Sequence, residues 1–372
     1  MKSRRSIRVA LEASALLAPR PTGIGVYGRA LAQALERRRA SGSPFACELI
    51  HPWTRSRRGF VPIDDGPRRL RRYATGRLLE RRFALVHALD TRLPRDHRGR
   101  LVATVFDTIS LLPGSAAAGF SPPGFRRRKE RVYGEIARSA DAIITLSEST
   151  RKEFERLFPT SARLVTIPPG VDPPLAFPSR AEAAEMLRRR GIAAPFVLTV
   201  GALCPRKNLE AAVAAFESAG ERRPGLKLVI AGEPSFGWEG SRGEAAVRRA
   251  RGAVVLAGYL PRPELRAAYR LAEALIHLSH HEGYGLTVLE ALAAGSPVVA
   301  ADRGGLREAA GEAGWLVDPD LEGEAARVLG RVLEGGQEVE ARRERGRAHA
   351  ALRTWDAAAR KVEELYREVL DS

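Results

Sequence analysis

Short apolar segments rich in β-branched residues alternate along the chain with longer Ala-, Leu- and Arg-rich segments of helical period. Strands of a parallel sheet are buried on both faces and are joined by crossover helices, so this alternation predicts βαβ units and an α/β fold. The predicted strands form two series, a first of Ile7–Ala13, Phe45–His51, Phe83–Leu89, Leu101–Phe106, Ala142–Leu146 and Leu164–Ile167, and a second of Phe196–Val200, Leu226–Ala231, Ala253–Ala257, Ala274–Leu278, Pro297–Ala301 and Trp315–Val317.

A proline-rich segment, Pro168–Pro174, separates the two series. Proline disfavours helix and stiffens the backbone, so this segment suits a domain boundary. A chain of 372 residues is long enough for two domains with cores of their own. We therefore predict one doubly wound domain over residues 1–172 and a second over 173–354, followed by an amphipathic helix, Trp355–Leu370.

The composition is that of a globular protein, with 44% hydrophobic residues. No apolar run reaches the roughly 20 residues of a membrane helix, and the basic N-terminus leads into a predicted strand without the apolar core of a signal peptide. Cys47 and Cys204 lie far apart and outside any CxxC pair, which argues against a disulfide framework and a thiolate metal site. These features predict a cytoplasmic protein.

The net charge of +17 is distributed unevenly. Residues 1–170 carry 33 Lys and Arg against 15 Asp and Glu, whereas residues 171–372 carry 28 against 29. Two clusters, Arg55–Arg82 and Arg126–Arg131, concentrate positive potential that attracts phosphates or anionic lipids. The alternative explanations for the many Arg residues are solvated helix faces and genomic base composition. The charge also suggests a nucleic-acid-binding protein, against which the aromatic content of 6% leaves few side chains for base stacking.

A glycine-rich segment, Pro21–Gly28, follows the first predicted strand and precedes the predicted helical run Arg29–Arg38. It has the spacing GxGxxG, which suggests an NAD-dependent oxidoreductase. The glycines follow the strand by some ten residues, however, and the second strand ends in His51-Pro52 without the acidic residue that holds a ribose. Two interpretations of this segment remain. Its backbone either approaches an anion closely at a helix N-terminus, or it forms a flexible loop before a helix cap.

Two adjacent cations, Arg206 and Lys207, follow the first strand of the second series and its terminal Gly201. At the carboxyl edge of a parallel sheet they would face a ligand, where Arg binds phosphate in a bidentate manner and Lys acts as a point charge. A diphosphate leaving group requires such charges. An ordinary surface Arg-Lys pair is the alternative.

The segment Leu278–Val299 contains two carboxylates eight positions apart, Glu282 and Glu290, on either side of a Gly-rich turn that becomes a helix. The spacing places Glu282 near the helix N-terminus and Glu290 about two turns into the helix. Backbone N–H groups around Gly285–Thr287 would receive a phosphate, and the carboxylates would accept hydrogen bonds from sugar and ribose hydroxyls. Because Glu290 is embedded in an apolar run, its carboxylate needs a partner.

Three histidines, His277, His280 and His281, precede Glu282 and raise the alternative of a metal site. The string lacks the distant third ligand and the helical placement of zinc motifs. We therefore expect no metal and no cofactor.

These elements together resemble the retaining, sugar-nucleotide-dependent glycosyltransferases of family 4, the group 1 glycosyl transferases. The E-x7-E element and the Arg-Lys-Asn element are its most specific parts, and the resemblance covers nearly the whole chain. It implies the GT-B architecture, two Rossmann-like domains facing across a cleft, with the helix at 355–372 returning to the first domain. The matching segments are Thr22–Tyr27, Val105–Asp107, Ser139–Ile144 with Ser147, Ile167–Asp172, Gly201–Leu209, Gly258–Leu260, Glu282–Glu290 and Thr354-Trp355.

The resemblance assigns the first domain to the acceptor and the second to the donor, and it implies three catalytic residues. Arg206 and Lys207 would stabilise the departing diphosphate and Glu282 would hold the transferred sugar. Many relatives carry His before Asp107, where this chain has Phe106, so no catalytic histidine is assigned and Asp107 is a candidate polar contact. The implied donor-binding residues are Gly23, Gly25, Gly201, Gly258, Tyr259, Leu260, Gly283, Tyr284, Gly285, Leu286, Thr287 and Glu290.

The implied reaction transfers a hexose from a nucleotide-diphosphate sugar to a glycan or lipid-linked acceptor in polysaccharide or glycoconjugate assembly, with retention and without a metal. GDP-mannose is the favoured donor because the glycine segment resembles that of mannosyl- and rhamnosyl-type transferases, and a UDP-sugar is the alternative. The basic first half fits an acceptor that carries phosphates or lies on an anionic membrane surface, which predicts a peripheral location at the inner membrane. The oxidoreductase and nucleic-acid-binding alternatives stay open at this point.

Overall fold

The computed structural model describes residues 6–16, 22–53, 66–67, 70–89, 92–112, 121–122, 124–173, 176–221, 223–250 and 252–372. The chain forms two compact units, which divide between Gly170 and Val171 and again between Leu352 and Arg353; residues 109–126 belong to the second unit. No helix in the described part of the chain is long and apolar enough to cross a membrane.

Parts of three predicted features lie outside the described residues. They are residues 55–65 and 68–69 of the cluster Arg55–Arg82, Pro21 of the glycine segment, and Pro174 of the proline-rich segment.

The first unit contains a seven-stranded parallel sheet in the order β3-β2-β1-β4-β5-β6-β7. Its strands are β1 (Ile7–Glu12), β2 (Phe45–Pro52), β3 (Leu70–Tyr73), β4 (Leu85–Ala88), β5 (Arg100–Val105), β6 (Ala142–Thr145) and β7 (Arg163–Thr166), and the helices along this part of the chain are α1 (Gly23–Ala40), α2 (Gly76–Glu80), α3 (Phe125–Ser139) and α4 (Glu148–Leu157). The six predicted strands are confirmed. The seventh, β3, is an edge strand of sequence Leu-Arg-Arg-Tyr, which has no apolar run that could reveal it.

The second unit contains a six-stranded parallel sheet in the order β10-β9-β8-β11-β12-β13. Its strands are β8 (Phe196–Val200), β9 (Lys227–Ala231), β10 (Val254–Gly258), β11 (Ala274–His277), β12 (Val298–Ala301) and β13 (Trp315–Val317), and its helices are α5 (Arg180–Arg188), α6 (Leu209–Gly220), α7 (Arg242–Arg249), α8 (Arg262–Leu271), α9 (Leu286–Ala294), α10 (Leu306–Ala310), α11 (Glu324–Glu334) and α12 (Gln337–Ala351). All six strands predicted for this half are confirmed. Their apolar runs were recognisable in the sequence because these residues fill a core between the sheet and the helices.

The last helix, α13 (Trp355–Asp371), packs on the first unit, as the family resemblance implied. Thr354 caps its N-terminus by accepting a hydrogen bond from the backbone N–H of Ala357 at 3.1 Å. The hydroxyl of Tyr366 lies 2.7 Å from Nδ1 of His87 on β4, whose Nε2 lies 2.8 Å from Oγ1 of Thr104 on β5. A buried polar chain therefore joins α13 to two adjacent strands.

The glycine segment corrects a prediction. Helix α1 begins at Gly23 with Thr22 as its N-cap, so the predicted start of the helical run at Arg29 is wrong and the glycines lie in the first turns of the helix. A Cβ on Gly28 would lie 2.5 Å from Cδ1 of Leu16, so this glycine permits close packing. Because the glycines do not form a strand-to-helix turn, the dinucleotide interpretation loses its structural basis.

Candidate active site

The loops that follow β8 and β11 meet at the point where the strand order of the second sheet reverses. Strand β8 has β9 on one side and β11 on the other. Ligands of open α/β sheets bind beyond the carboxyl ends of the strands at such a switch point. The loop after β8 carries Arg206 and Lys207, and the loop after β11 carries Glu282.

These three predicted catalytic residues form one ion-pair cluster. Oε1 of Glu282 lies 2.6 Å from Nζ of Lys207 and 2.7 Å from NH1 of Arg206. Nε2 of His277, the last residue of β11, lies 3.5 Å from the same oxygen and 3.2 Å from Oγ of Ser279. Two cations around one carboxylate leave a net positive charge, which suits a diphosphate.

The electrostatics of the cluster follow from its burial. Burial raises the pKa of the Glu282 carboxyl, but the charges of Arg206 and Lys207 outweigh that effect and hold the pKa well below its ordinary value. Burial lowers the pKa of Lys207, and the attraction of Glu282 opposes this shift only in part. Burial, followed by the charge of Lys207, lowers the pKa of His277. At neutral pH the histidine is therefore uncharged beside an ionised Glu282.

The backbone of the β8 loop places the two cations. Gly201 adopts a left-handed φ of +139°, and a Cβ at this position would lie 2.7 Å from Cε of Lys207. A single 3₁₀ turn, Pro205–Lys207, then leads to Asn208, whose side chain caps α6. The β11 loop is fastened to this turn because the N–H of His280 donates to the carbonyl of Arg206 at 3.0 Å.

The N-terminus of α9 follows directly on Glu282. Gly283 and Tyr284 are buried, and Gly285 is the N-cap with a left-handed φ of +114°. Leu286 is the first helical residue, so Glu290 is the fifth and lies little more than one turn into the helix, and the expectation of two turns is wrong. The predicted phosphate contacts, Leu286 and Thr287, are the first two residues of the helix, at the positive end of its dipole.

Two glycines that were not among the predicted site residues pack closely against the backbone of the Glu282 loop. They are Gly304 and Gly305, which follow β12. The N–H of Gly305 donates to the carbonyl of Glu282 at 2.9 Å, and a Cβ on Gly305 would lie only 2.4 Å from the carbonyl oxygen of Gly283. A Gly-Gly pair in the short loop after a buried strand is the signal that would have identified them.

Glu290 has the partner that its apolar surroundings demanded. Its Oε1 lies 2.8 Å from NH1 of Arg262, the first residue of α8. The other guanidinium nitrogen of Arg262 contacts Asp172, which also binds Arg266 at 2.5 Å. Arg262 lies 28 residues before Glu290 and on another helix, so no local pattern in the sequence indicates it as the partner.

The predicted base-contacting residues lie at the carboxyl end of β10, two strands away from β8. Gly258 ends the strand with a φ of +64°, and its carbonyl accepts a hydrogen bond from the N–H of Gly232 at 2.8 Å. Tyr259 is half-buried and Leu260 is buried. Any contact of Leu260 with a base would therefore involve its backbone.

In the first unit, the candidate polar residue Asp107 lies just after β5. Its carboxylate is 2.5 Å from Nζ of Lys129, and its carbonyl accepts a hydrogen bond from the hydroxyl of Tyr133 at 2.7 Å. Phe106 packs edge-on against Tyr27 of α1, with ring centroids 5.1 Å apart. The position that many relatives give to histidine is thus part of an aromatic core here.

Two Rossmann-like units, with cations and carboxylates at the switch point of the second sheet, have the GT-B architecture of glycosyltransferases. The family model for glycosyl transferases group 1 matches residues 189–349, and the model for glycosyltransferase family 4 matches residues 21–174. The chain belongs to this family.

Curated relatives agree with the family. The chain is 34% identical over 286 residues to a D-inositol 3-phosphate glycosyltransferase of Acidothermus cellulolyticus, a match that covers 73% of this chain and 62% of that protein. It is 30% identical over 266 residues to the O-antigen chain mannosyltransferase B of Escherichia coli, covering 70% of this chain and 68% of the relative. The chain thus matches somewhat less than two thirds of the first relative's length.

Solved structures agree in fold over almost the whole chain. The sucrose-phosphate synthase from Thermosynechococcus elongatus superposes with a TM-score of 0.76 at 22% identity, covering 98% of this chain and 99% of that one. Anabaena Alr3699/HepE in complex with UDP-glucose gives a TM-score of 0.72 at 17% identity, covering 97% and 99%.

Proposed function

We propose that the protein is a retaining glycosyltransferase that transfers a hexose from a nucleotide-diphosphate sugar to a glycan or lipid-linked acceptor in polysaccharide or glycoconjugate assembly. The observation that carries this proposal is the cluster of Arg206, Lys207 and Glu282 at the switch point of the second sheet. Two cations held in place by one carboxylate have a net positive charge, which suits the binding of a diphosphate at this switch point.

The proposed reaction forms a bond between an acceptor hydroxyl oxygen and the anomeric carbon, and it breaks the bond between that carbon and the diphosphate. Attack from the face that the diphosphate leaves retains the configuration, and the hydroxyl proton passes to the departing diphosphate. Arg206 and Lys207 stabilise the charge that develops on the leaving group. Glu282 orients both cations and accepts hydrogen bonds from the transferred sugar, so that catalysis rests on positioning and electrostatics.

For the donor we propose GDP-mannose, with a UDP-sugar as the alternative. The name of the E. coli relative, a mannosyltransferase, supports the first. The UDP-glucose complex of the structurally similar Anabaena protein supports the second.

For the acceptor we propose an anionic molecule bound by the first unit, at an anionic membrane surface. The excess of 33 basic over 15 acidic residues in the first 170 residues supports this proposal. Trp53 also supports it, because an exposed tryptophan suits a membrane interface. Its side chain is 61% exposed, and the guanidinium of Arg72 lies 5.1 Å from the centroid of its ring. The Acidothermus relative is named a D-inositol 3-phosphate glycosyltransferase, and this name is consistent with a phosphate-bearing acceptor.

The experiment that tests the proposal measures thermal stabilisation and slow donor hydrolysis with GDP-mannose, UDP-glucose and related nucleotide-sugars. We expect at least one donor to raise the melting temperature and to be hydrolysed. Lys207→Met should lower the rate of hydrolysis by about 100-fold or more, because one of the two cations at the leaving group is lost.

Lys227→Met is the matched control. Lys227 begins β9 and binds the carbonyl of Gly252 outside the cluster, so its loss should leave hydrolysis at the wild-type rate. Failure of every donor to stabilise or react would overturn the proposed function. Full activity of Lys207→Met would overturn the role of the lysine at the leaving group.

A further inference from the structure

Helix α8 presents three polar side chains on one face. Arg262, Arg266 and Tyr269 follow one another at spacings of four and three residues, which places them along a single helical stripe. Two of these residues bind Asp172, and Arg262 also binds Glu290. The stripe therefore lies against the helix that carries the predicted ribose ligand.

Arg262 is the centre of this network. NH1 of its guanidinium binds Glu290 at 2.8 Å, while NH2 binds Asp172. Because the guanidinium is planar and each end holds a different carboxylate, it cannot rotate without breaking one of the two pairs. Asp172 is in turn fixed by Arg266 at 2.5 Å, so the orientation of Arg262 is determined from both sides.

Glu290 depends on this arrangement more than an exposed carboxylate would. It is 8% exposed on a helix whose neighbouring side chains are apolar and buried. Removal of the partner of a buried charge leaves that charge uncompensated. Arg262 thus determines where the Glu290 carboxylate points.

We propose that Arg262 is a positioning residue for ribose recognition, which holds Oε1 of Glu290 so that the carboxylate accepts a hydrogen bond from a ribose hydroxyl. Asp172 and Arg266 brace Arg262 for this purpose. The inference rests on the proposed function, because it specifies how the same donor site distinguishes a nucleoside diphosphate from a bare diphosphate. Arg262 does not touch the reacting atoms, so it acts through Glu290.

The test compares the binding of GDP with that of 2′,3′-dideoxy-GDP, by calorimetry, in the wild-type full chain and in Arg262→Met. The wild type should bind GDP about tenfold or more tightly than the dideoxy analogue, as expected for a hydrogen bond to a charged group. Arg262→Met should bind both ligands with nearly equal affinity. The affinity of Arg262→Met for inorganic pyrophosphate should equal that of the wild type. If the protein binds uridine nucleotides, UDP and 2′,3′-dideoxy-UDP are used in place of the two guanosine nucleotides.

Arg190→Met is the matched control. Arg190, which follows α5, pairs at 3.1 Å with Glu264 of α8, a different carboxylate from the Glu290 that Arg262 binds. This variant should retain the full preference for GDP over the dideoxy analogue. Asp172→Asn, which keeps Arg262 but removes its brace, should show an intermediate preference and serves as the test if Arg262→Met does not fold.

Three results are distinguishable. If the wild type binds no nucleoside diphosphate, the proposed function fails. If the wild type prefers GDP and both Arg262→Met and Asp172→Asn keep that preference undiminished, the positioning role is overturned even where the melting temperature falls. Loss of the preference in Arg262→Met with unchanged binding of pyrophosphate supports the inference.

Discussion

At the residue scale, the Glu282 loop is shaped by contacts that leave no room for a side chain. Gly305 donates its N–H to the carbonyl of Glu282, and its Cα faces the carbonyl of Gly283. The loop positions both the carboxylate that holds Arg206 and Lys207 and the start of α9. A small displacement of Gly305 would therefore move Glu282 and change its contacts with Arg206 and Lys207.

We predict that Gly305→Ala lowers both activity and stability. Its Cβ would lie 2.4 Å from a backbone oxygen, so the loop must shift, at a cost of about 1 to 3 kcal/mol in the free energy of unfolding. Gly330→Ala is the control, because Gly330 lies within α11 with nothing within 4 Å of its Cβ position, and alanine should stabilise that helix by about 0.5 to 1 kcal/mol. Urea unfolding and donor hydrolysis measure both variants, and equal behaviour of the two would contradict the steric role of Gly305.

At the element scale, α13 is joined to the first unit through a buried histidine. Burial lowers the pKa of His87 to about 3, so the ring stays neutral between Tyr366 and Thr104. In the unfolded chain a histidine titrates near its ordinary value of 6.5. Between these two values the unfolded state binds a proton that the folded state does not, so stability rises with pH.

We predict that the contribution of His87 is fully present above pH 6.5 and is lost as the pH falls towards 3. Relative to His87→Gln, which does not titrate, the wild type should lose about 1.4 kcal/mol of unfolding free energy per pH unit below 6.5. Urea unfolding of both proteins from pH 7.5 to 4.5 measures the difference, in which the titration of shared carboxylates cancels. Parallel pH profiles for the two proteins would show that the ring titrates normally in the folded state.

At the scale of the whole molecule, the net positive charge is confined to the half that we assign to the acceptor. Arg127 and Arg131 of α3, which lie in the first unit, are exposed, whereas the second half of the chain has nearly balanced charges. Clustered cations attract anionic lipid headgroups over about a Debye length. This distribution supports attachment of the first unit to a membrane surface.

We predict that the protein binds vesicles containing about 30% anionic lipid at low salt and dissociates as the salt concentration rises. Charge reversal in Arg127→Glu/Arg131→Glu should weaken binding by about tenfold or more, since each basic residue near the surface contributes about 1 kcal/mol. Arg331→Glu/Arg345→Glu in the second half changes the net charge equally and should have little effect. Co-sedimentation measures both, and tight binding to duplex DNA without binding to vesicles would favour the nucleic-acid alternative.

The sequence alone determined the two series of parallel strands and the loops that carry Arg206, Lys207 and Glu282. Both follow from local patterns, because a buried parallel strand needs a continuous apolar run and a ligand-binding loop follows its carboxyl end. The pattern failed where local sequence carries no such signal. The polar edge strand β3 lacks an apolar run, and α1 includes glycines that resemble a loop.

Only the tertiary structure decided which side chains become partners. Arg262 reaches Glu290 from another helix, Lys129 reaches Asp107 across 22 residues, and Gly305, the N-cap of α10, supports the Glu282 loop. The spacing of residues along one element predicts neighbours on that element, but contacts between elements depend on how the chain packs. For this protein, the sequence indicated the family and the chemical groups at the candidate site, and the fold selected the residues that hold those groups in place.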